Sequence, residues 1–179
     1  FTRFNPKHFQ HIENCIRCLG ELGIEADLIM MHPYDRWGFS QMTREQDDLY
    51  WNYAVSRFSA FANVWWSLAN EYDLMPHKTL DDWEHYATIL CEKDPYHHMR
   101  SIHNCISLYD FSKPWITHCS VQRTDLYKSA ECTNELRDRY RKPVVLDEIA
   151  YEGDIQHGWG NLTGEEMLRR FWEAACRGG

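Results

Sequence analysis

The sequence lacks the features that would assign it to a membrane or to a nucleic-acid partner. Among its 179 residues no apolar run approaches the ~20 residues that a membrane-spanning helix needs. There is no long run of Lys or Arg, and the formal net charge of -8 would repel an anionic membrane surface or a duplex nucleic acid. We therefore expect neither a membrane nor a nucleic acid as partner, and a neutral substrate suits the charge better.

The sequence also lacks a disulfide framework. Its seven cysteines are odd in number and run from Cys15 to Cys176 without dense spacing. Cys15 and Cys18 form a C-x-x-C pair without a second pair, and a place on an apolar helix face is the simpler interpretation. Free thiols of this kind favour a cytoplasmic location over secretion. Because the chain starts at Phe1, we expect a piece of a longer protein, with any targeting segment elsewhere.

Aromatic residues, by contrast, are abundant. Hydrophobic residues make up 44% of the chain and aromatic residues 15%, including eight Trp and ten Tyr. This composition excludes a disordered chain and predicts a packed globular domain. Core packing is the simpler explanation of the aromatic residues, and stacking on sugar rings is the functional one.

Apolar and amphipathic segments alternate along the whole chain. The patterns predict strands at residues 24–31, 63–69, 100–105, 115–119 and 144–147, and helices at 8–22, 43–61, 79–93, 125–140 and 163–176. Thr43 and Gln46 have the spacing of a capping box at the second helix. Apolar strands between amphipathic helices predict an α/β fold with a parallel sheet, either an open doubly wound sheet or a barrel.

The polar residues favour the barrel, because each predicted strand ends in polar or aromatic side chains. These are His32 and Asp35, Asn70 and Glu71, His103 and Asn104, His118, and Glu148. In (β/α)8 barrels the site is assembled at the C-terminal ends of the strands, and a complete barrel usually takes ~250 residues. We therefore predict a partial (β/α)8 TIM barrel, with residues 1–179 forming a single catalytic domain that lacks about three strands.

Two glutamates carry the predicted chemistry. Glu71 and Glu148 both stand at the C-terminal end of an apolar strand. Cleavage of a glycosidic bond needs one carboxylic acid to protonate the leaving oxygen and a second carboxylate to attack, or to activate water at, the anomeric carbon. A barrel could place both groups across its mouth. Solvated strand ends and salt bridges are the simpler explanation of a single such glutamate, but two of them strengthen the functional one.

The motifs around these glutamates resemble a known family. WWSLANE at residues 65–71 resembles the fourth-strand motif of the retaining barrel glycosidases, and VVLDE at 144–148 resembles their seventh strand. Together with HPYDRWG at 32–38 and HGWGN at 157–161, they make the chain similar to the apiosidase-like bacterial glycosidases. The resemblance implies barrel strands three to seven, Glu71 as acid/base, Glu148 as nucleophile and Asn70 as a ligand of the sugar 2-hydroxyl. It also places His118 near the nucleophile.

Further residues are candidates for contact with a carbohydrate substrate, although packing of their own loops is the simpler alternative. They are His32, Tyr34, Asp35, Trp37, His103, Asn104, His118, His157 and Trp159. Strand alternation predicts that Asp147 faces away from Glu148 and has a structural role. Glu152 is a rival nucleophile that lies beyond the strand end. No cofactor and no metal are expected.

Two other functions stay open at this point. A metal-dependent barrel hydrolase could ligate Zn²⁺ through His32, His103 and His118, although no H-x-H or H-E-x-x-H spacing is present. A non-catalytic carbohydrate-binding barrel would also keep aromatic loops, but it would have no chemical need for both carboxylates. The unpaired edges of a partial barrel would pair with another strand, and a homo-oligomer is one way to cover them.

Overall fold

The structure, a computed structural model, describes residues 1–122 and 132–179. Its helices are α1 (Pro6–Glu21), α2 (Arg44–Phe58), α3 (Leu80–Lys93), α4 (Cys132–Tyr140) and α5 (Gly164–Cys176). Its strands are β1 (Ala26–Ile29), β2 (Val64–Ser67), β3 (Arg100–Ser101), β4 (Cys119–Gln122) and β5 (Val144–Glu148). The predicted alternation of strands and helices is therefore present. The start of the fourth predicted helix, residues 125–131, lies outside the described residues.

Side-chain caps fix the starts of the helices close to where the sequence predicts them. The capping box at α2 is confirmed: the Thr43 N–H donates to Gln46 Oε1 over 3.0 Å, and the Gln46 N–H donates to Thr43 Oγ1 over 3.4 Å. Thr79 and Asp82 form the same reciprocal pair at the start of α3. These bonds satisfy backbone donors that the first turn of a helix leaves without a partner.

The chain forms two compact units. The first contains Phe1–Asn70 and Met75–Arg100, and the second contains Glu71–Leu74 and Ser101–Gly179. In the first unit β1 runs parallel to β2, with Ala26 opposite Val64. The order of the three-stranded sheet is β1-β2-β3. In the second unit β4 runs parallel to β5, with Cys119 opposite Val144. Parallel pairing confirms the predicted α/β fold, and the described strands form these two small sheets.

Large aromatic side chains build the core of the first unit. Trp51 on α2, Trp66 on β2, and Trp83 and Tyr86 on α3 are all buried. The Trp51 and Tyr86 rings stack with centroids 5.2 Å apart, which joins α2 to α3. Burial of one such ring removes roughly 150–250 Å² from water and contributes roughly 4–6 kcal/mol before entropic costs. For these residues, core packing accounts for the aromatic content.

The predicted strand at residues 115–119 is wrong in its position. β4 begins at Cys119 and ends at Gln122. The apolar pair Trp115 and Ile116 belongs to a turn, in which the Ile116 N–H donates to the Lys113 carbonyl over 3.2 Å. A turn that is packed by apolar side chains has the same local pattern as a short buried strand, which explains the error. Gln122, and not His118, therefore ends this strand.

The remaining predictions from composition concern thiols and membrane spans. All seven cysteines lie among the described residues and are free, so no disulfide braces the fold. In the part of the chain that the structure describes, no helix is long and apolar enough to cross a membrane.

Candidate active site

The second unit holds an imidazole between two carboxylates. His103 is 3% exposed, and its Nδ1 lies 3.2 Å from Asp147 Oδ2 while its Nε2 lies 3.3 Å from Glu148 Oε1. Gln122 Oε1 also lies 3.1 Å from Nε2. Because oxygen acceptors face both ring nitrogens, the arrangement is satisfied best when both nitrogens carry a proton.

The protonation of His103 and that of Glu148 are coupled. Burial alone would lower the pKa of His103, but hydrogen bonds to Asp147 and Glu148 and their charges outweigh it and raise the pKa to about 9. The hydrogen bond from His103 in turn lowers the pKa of Glu148, against the opposing effect of burial. At neutral pH the pair is therefore an imidazolium beside an ionised carboxylate.

A β-bulge explains why Asp147 and Glu148 meet the same ring. In the β4–β5 pairing Leu146 is opposite Val121 and Glu148 is opposite Gln122, so Asp147 is the extra residue. Regular alternation would direct neighbouring side chains to opposite faces, but an inserted residue cancels that alternation locally. The prediction that Asp147 faces away from Glu148 is therefore wrong.

Tyr151 contacts Glu148 from the other side. Its hydroxyl donates to Glu148 Oε2 over 2.6 Å. Burial, this hydrogen bond and the charges of Glu148 and Glu71 all raise the pKa of Tyr151, so the phenol stays a proton donor. The sequence analysis did not single out Tyr151. The available signal was a hydroxyl-bearing aromatic residue directly behind a strand-end glutamate.

Glu71 lies in a strained turn. It is 6% exposed, and its φ of 47° is in the left-handed region that non-glycine residues rarely adopt. Such a conformation costs about 1–3 kcal/mol and persists only when neighbouring contacts hold it. Here the Leu74 N–H donates to the Glu71 carbonyl over 2.9 Å, and the Tyr72 N–H donates to the His103 carbonyl over 3.0 Å.

Glu71 and Glu148 share two neighbours. The Cys105 thiol hydrogen-bonds to the Glu71 carboxylate, and its pKa is raised to about 11 by burial, by that bond and by the charges of Glu71, Asp73 and Glu148. The charges of both glutamates also raise the pKa of Tyr151. Since such effects fall off with distance, Glu71 and Glu148 both lie near these two side chains.

A buried arginine supports the chain directly after Glu148. Arg170 on α5 is buried, and its guanidinium donates to the Ile149 carbonyl over 3.0 Å and to Glu166 over 2.8 Å. The next residue, Ala150, has a φ of 71°, so the chain turns sharply here. Sequence patterns did not predict this contact, because a basic residue in an amphipathic helix usually faces solvent.

The comparison with protein families agrees with this geometry. The family model for the apiosidase-like catalytic domain matches residues 1–179. The chain belongs to the apiosidase-like family. No curated protein matches it.

Two solved structures are similar to this apiosidase-like chain. A predicted glycoside hydrolase from Bacteroides vulgatus is 43% identical, with a TM-score of 0.91 over 96% of this chain and 34% of that one. A glycoside hydrolase family 5 protein from the same organism is 15% identical, with a TM-score of 0.69 over 96% of this chain and 41% of that one. At this identity the second structure shows a similar fold and nothing more. This apiosidase-like chain thus spans about a third of the first structure and two fifths of the second.

Two predicted substrate ligands of the apiosidase-like chain are buried in the second unit. Asn104 Oδ1 accepts from the Gln122 N–H over 3.4 Å, which ties it to β4. His118 precedes β4, its Nδ1 lies 3.0 Å from the Thr117 hydroxyl, and burial lowers its pKa. The imidazole that contacts Glu148 in the described residues is that of His103. The expected position of His118 beside the nucleophile stays a prediction.

The loop after β5 presents an aromatic surface. The His157 and Trp159 rings stack with centroids 5.9 Å apart, and the Tyr151 ring meets Trp159 edge-on at 6.1 Å. Trp159 is 55% exposed, so part of this aromatic group is accessible to solvent. Glu152, the rival nucleophile, is exposed and pairs through its backbone with Leu162.

The other predicted site residues lie in the first unit. Asp35 accepts hydrogen bonds from the Trp37, Gly38 and Ser40 N–H groups and from the Ser40 hydroxyl. Burial would raise the pKa of Asp35, but these bonds lower it well below its usual range. Its contacts are thus those of a residue that organises its own loop, while Tyr34 and Trp37 are exposed.

His32 and Asn70 have backbone anchors in the same unit. His32 Nδ1 accepts from the Tyr34 N–H over 3.2 Å, and the Asn70 N–H donates to the Met31 carbonyl over 2.9 Å. Contact of these residues with substrate stays a prediction.

A cavity of about 780 Å³ lies in the first unit. It is bordered by apolar side chains of α1 and β1 and by His32, Asp35 and Trp37. Its lining includes Ile29 of β1, a strand that has a strand neighbour on one side only among the described residues. The two catalytic candidates belong to the other unit.

The described residues give no support to the metal-dependent alternative. Within residues 1–122 and 132–179 no group of three or more His, Cys, Asp or Glu side chains is arranged to hold a metal ion. Metal analysis of the purified protein decides between the two hypotheses, because a stoichiometric zinc ion would support the metal-dependent one.

Proposed function

We propose that this chain is part of the catalytic domain of a glycoside hydrolase and cleaves an O-glycosidic bond of a neutral carbohydrate through Glu71 and Glu148. The main support for the proposal is that the charges of both carboxylates raise the pKa values of the same two neighbours, Cys105 and Tyr151. Membership of the apiosidase-like catalytic-domain family supports it.

The surroundings of the two carboxylates suit different roles. Glu148 lies beside the His103 imidazolium and accepts from Tyr151, so it is held ionised, as a nucleophile must be. Glu71 is more deeply buried and has the neutral Cys105 thiol as its neighbour. In the proposed reaction Glu71 protonates the leaving oxygen while Glu148 attacks the anomeric carbon. Glu71 then takes a proton from the incoming water, and the glycosyl-enzyme bond breaks with retention.

The proposal extends to the fold and the setting of the chain. The five strands would correspond to strands three to seven of a (β/α)8 barrel, in keeping with the parallel pairing and with the 15% identical family 5 structure. Trp159 and His157 would offer a stacking surface to a sugar, and Asn70 would bind its 2-hydroxyl. No cofactor enters the reaction. The seven free thiols support a cytoplasmic location.

The test uses the complete polypeptide that contains these residues and a panel of p-nitrophenyl pentosides and hexosides. Hydrolysis of the member that is cleaved should fall by about 10⁴-fold or more in Glu148→Gln. Hydrolysis of the methyl glycoside of the same sugar should fall as far in Glu71→Gln, because its leaving oxygen needs protonation. The anomeric configuration of the first-formed product, followed by proton NMR, should match that of the substrate.

Three outcomes would contradict the proposal. Inverted product would exclude the retaining mechanism. If Glu148→Gln keeps full activity and Glu152→Gln loses it, the nucleophile is Glu152 and not Glu148. A sugar that binds but survives incubation unchanged would make the protein a carbohydrate-binding module.

A further inference from the structure

A carboxylate beside Glu71 holds a loop by its backbone. Asp73 accepts three consecutive N–H groups, from Cys105 over 2.6 Å and from Ile106 and Ser107 over 2.8 Å each. Although burial would raise the pKa of Asp73, these three bonds lower it, so the carboxylate stays charged. Charge-assisted bonds to three successive amides fix both the position and the orientation of the loop.

The loop that Asp73 holds contacts both ends of the proposed catalytic pair. Its first residue, Cys105, directs its thiol to the Glu71 carboxylate. Two residues earlier, His103 lies against Glu148 and accepts the Tyr72 N–H at its carbonyl. One short segment, residues 103–107, therefore touches Glu71 through a thiol and Glu148 through an imidazole, and Asp73 anchors it.

We propose that Asp73 and Cys105 are positioning residues for Glu71: Asp73 fixes the backbone of residues 105–107, and the thiol thus placed orients the carboxyl group that protonates the leaving oxygen. This inference rests on the proposed function of Glu71. Neither residue exchanges a proton with the substrate. Their role is to hold the Glu71 carboxyl group in place through the hydrogen bond from the Cys105 thiol.

The strained backbone of Glu71 makes such support necessary. With a φ of 47° its side chain has no regular secondary structure to direct it. The turn Tyr72–Leu74 is joined to the 103–107 segment at two points, the Tyr72 N–H and the Asp73 carboxylate. Loss of the Asp73 contacts would therefore let Glu71 and Cys105 move independently, while the core of the unit stays packed.

The first experiment compares leaving groups in the complete polypeptide. A methyl glycoside needs protonation of its leaving oxygen, whereas a 2,4-dinitrophenyl glycoside of the same sugar does not. In Cys105→Ala and Asp73→Asn, kcat/KM for the methyl glycoside should fall by about tenfold or more. For the dinitrophenyl glycoside, kcat/KM should stay within about twofold of the wild-type value. Cys105→Ser should recover most of the loss, because a hydroxyl also donates. Cys91→Ala and Asp110→Asn are the matched controls.

The second experiment is independent of activity. Hydrogen exchange of the Cys105, Ile106 and Ser107 amides should accelerate in Asp73→Ala and stay unchanged in Asp110→Ala, in which another local carboxylate contact, to Ser112, is lost. Unchanged exchange of these three amides in Asp73→Ala would contradict the proposal that Asp73 fixes the backbone of residues 105–107. Equal losses on both substrates, or none on either, would overturn the positioning role while the proposed function stands. A wild type that cleaves neither substrate would instead refute the proposed function.

Discussion

Two buried clusters of opposite charges, one taken from each unit, differ in their access to solvent. In the first unit Lys78 Nζ lies 2.5 Å from Asp47 Oδ2, the Tyr86 hydroxyl donates to the same oxygen, and Asp47 is 1% exposed. In the second unit His103 lies between Asp147 and Glu148, and the Glu148 side chain keeps 20% of its surface exposed. The first cluster is closed, and the second has an open side.

The difference in access to solvent indicates that the two clusters have different roles. Burial raises the pKa of Asp47 even though Lys78 and Tyr86 oppose it, so the closed cluster carries the cost of desolvation and offers no oxygen to a ligand. In the open cluster the bond from His103 lowers the pKa of Glu148, which leaves a charged oxygen near solvent. We infer that the closed cluster joins α2 to the start of α3, and that the open one serves chemistry.

The largest expected effect comes from the open cluster. Glu148→Gln keeps the size of the side chain and most of its hydrogen bonds, so the midpoint of thermal unfolding should change little. Hydrolysis should fall by about 10⁴-fold or more, because an amide cannot form the glycosyl-enzyme. Steady-state kinetics and a thermal melt of the same preparation measure both quantities. Comparable losses of stability and activity would remove the distinction between the clusters.

The closed cluster should respond in the opposite way. Lys78→Met leaves Asp47 buried without its cation, and the free energy of unfolding should fall by about 3–5 kcal/mol. The loss should be smaller near about pH 5 than near about pH 8, because Asp47 takes up a proton more readily once Lys78 is gone. Urea titrations at both pH values measure it, with the exposed Lys7→Met as control. A loss that is the same at both pH values would show that Asp47 does not sense Lys78.

Replacement of His103, the cation of the open cluster, should have a smaller effect on activity. His103 has a folded pKa of about 9, above its ordinary value of 6.5, so its stabilising contribution is complete below about 6.5 and is lost as pH rises through about 9. In His103→Gln, kcat/KM should fall roughly 10- to 100-fold near neutral pH, the value of a charge-assisted bond. The alkaline limb of the wild-type pH profile, near 9, should also disappear. If the alkaline limb persists unchanged in His103→Gln, a group other than His103 causes it.

Local sequence signals predicted much of the fold. Thr43, Thr79 and Thr163 cap α2, α3 and α5, because a cap depends only on neighbouring residues. The strand at 115–119 was misplaced since Trp115 packs edge-on to Tyr109 in a turn, a contact that no local pattern reveals. Strand positions depend on partners that are distant in the chain, and helix starts do not.

The same contrast holds for the candidate site. Glu71 and Glu148 could be selected as candidates because a strand-end carboxylate in a motif is a local feature, and their catalytic roles stay a prediction. The bulge at Asp147 depends on the register with β4, and the place of His103 depends on three separate segments, so neither follows from spacing. Asp73 and Tyr151 stand within three residues of the predicted glutamates, yet their roles lie in contacts that only the folded chain shows.

The smallest expected effect concerns the second donor to Glu148. Tyr151→Phe removes one hydrogen bond from a partly exposed carboxylate that keeps its contact with His103, so kcat/KM should fall by about tenfold or less. The hydroxyl opposes protonation of Glu148, so its loss should also move the acid limb of the pH profile upward. Tyr140→Phe, whose ring packs on Phe111, controls for removal of a hydroxyl elsewhere in the unit. If the acid limb stays fixed while activity falls, Tyr151 acts on the substrate and not through Glu148.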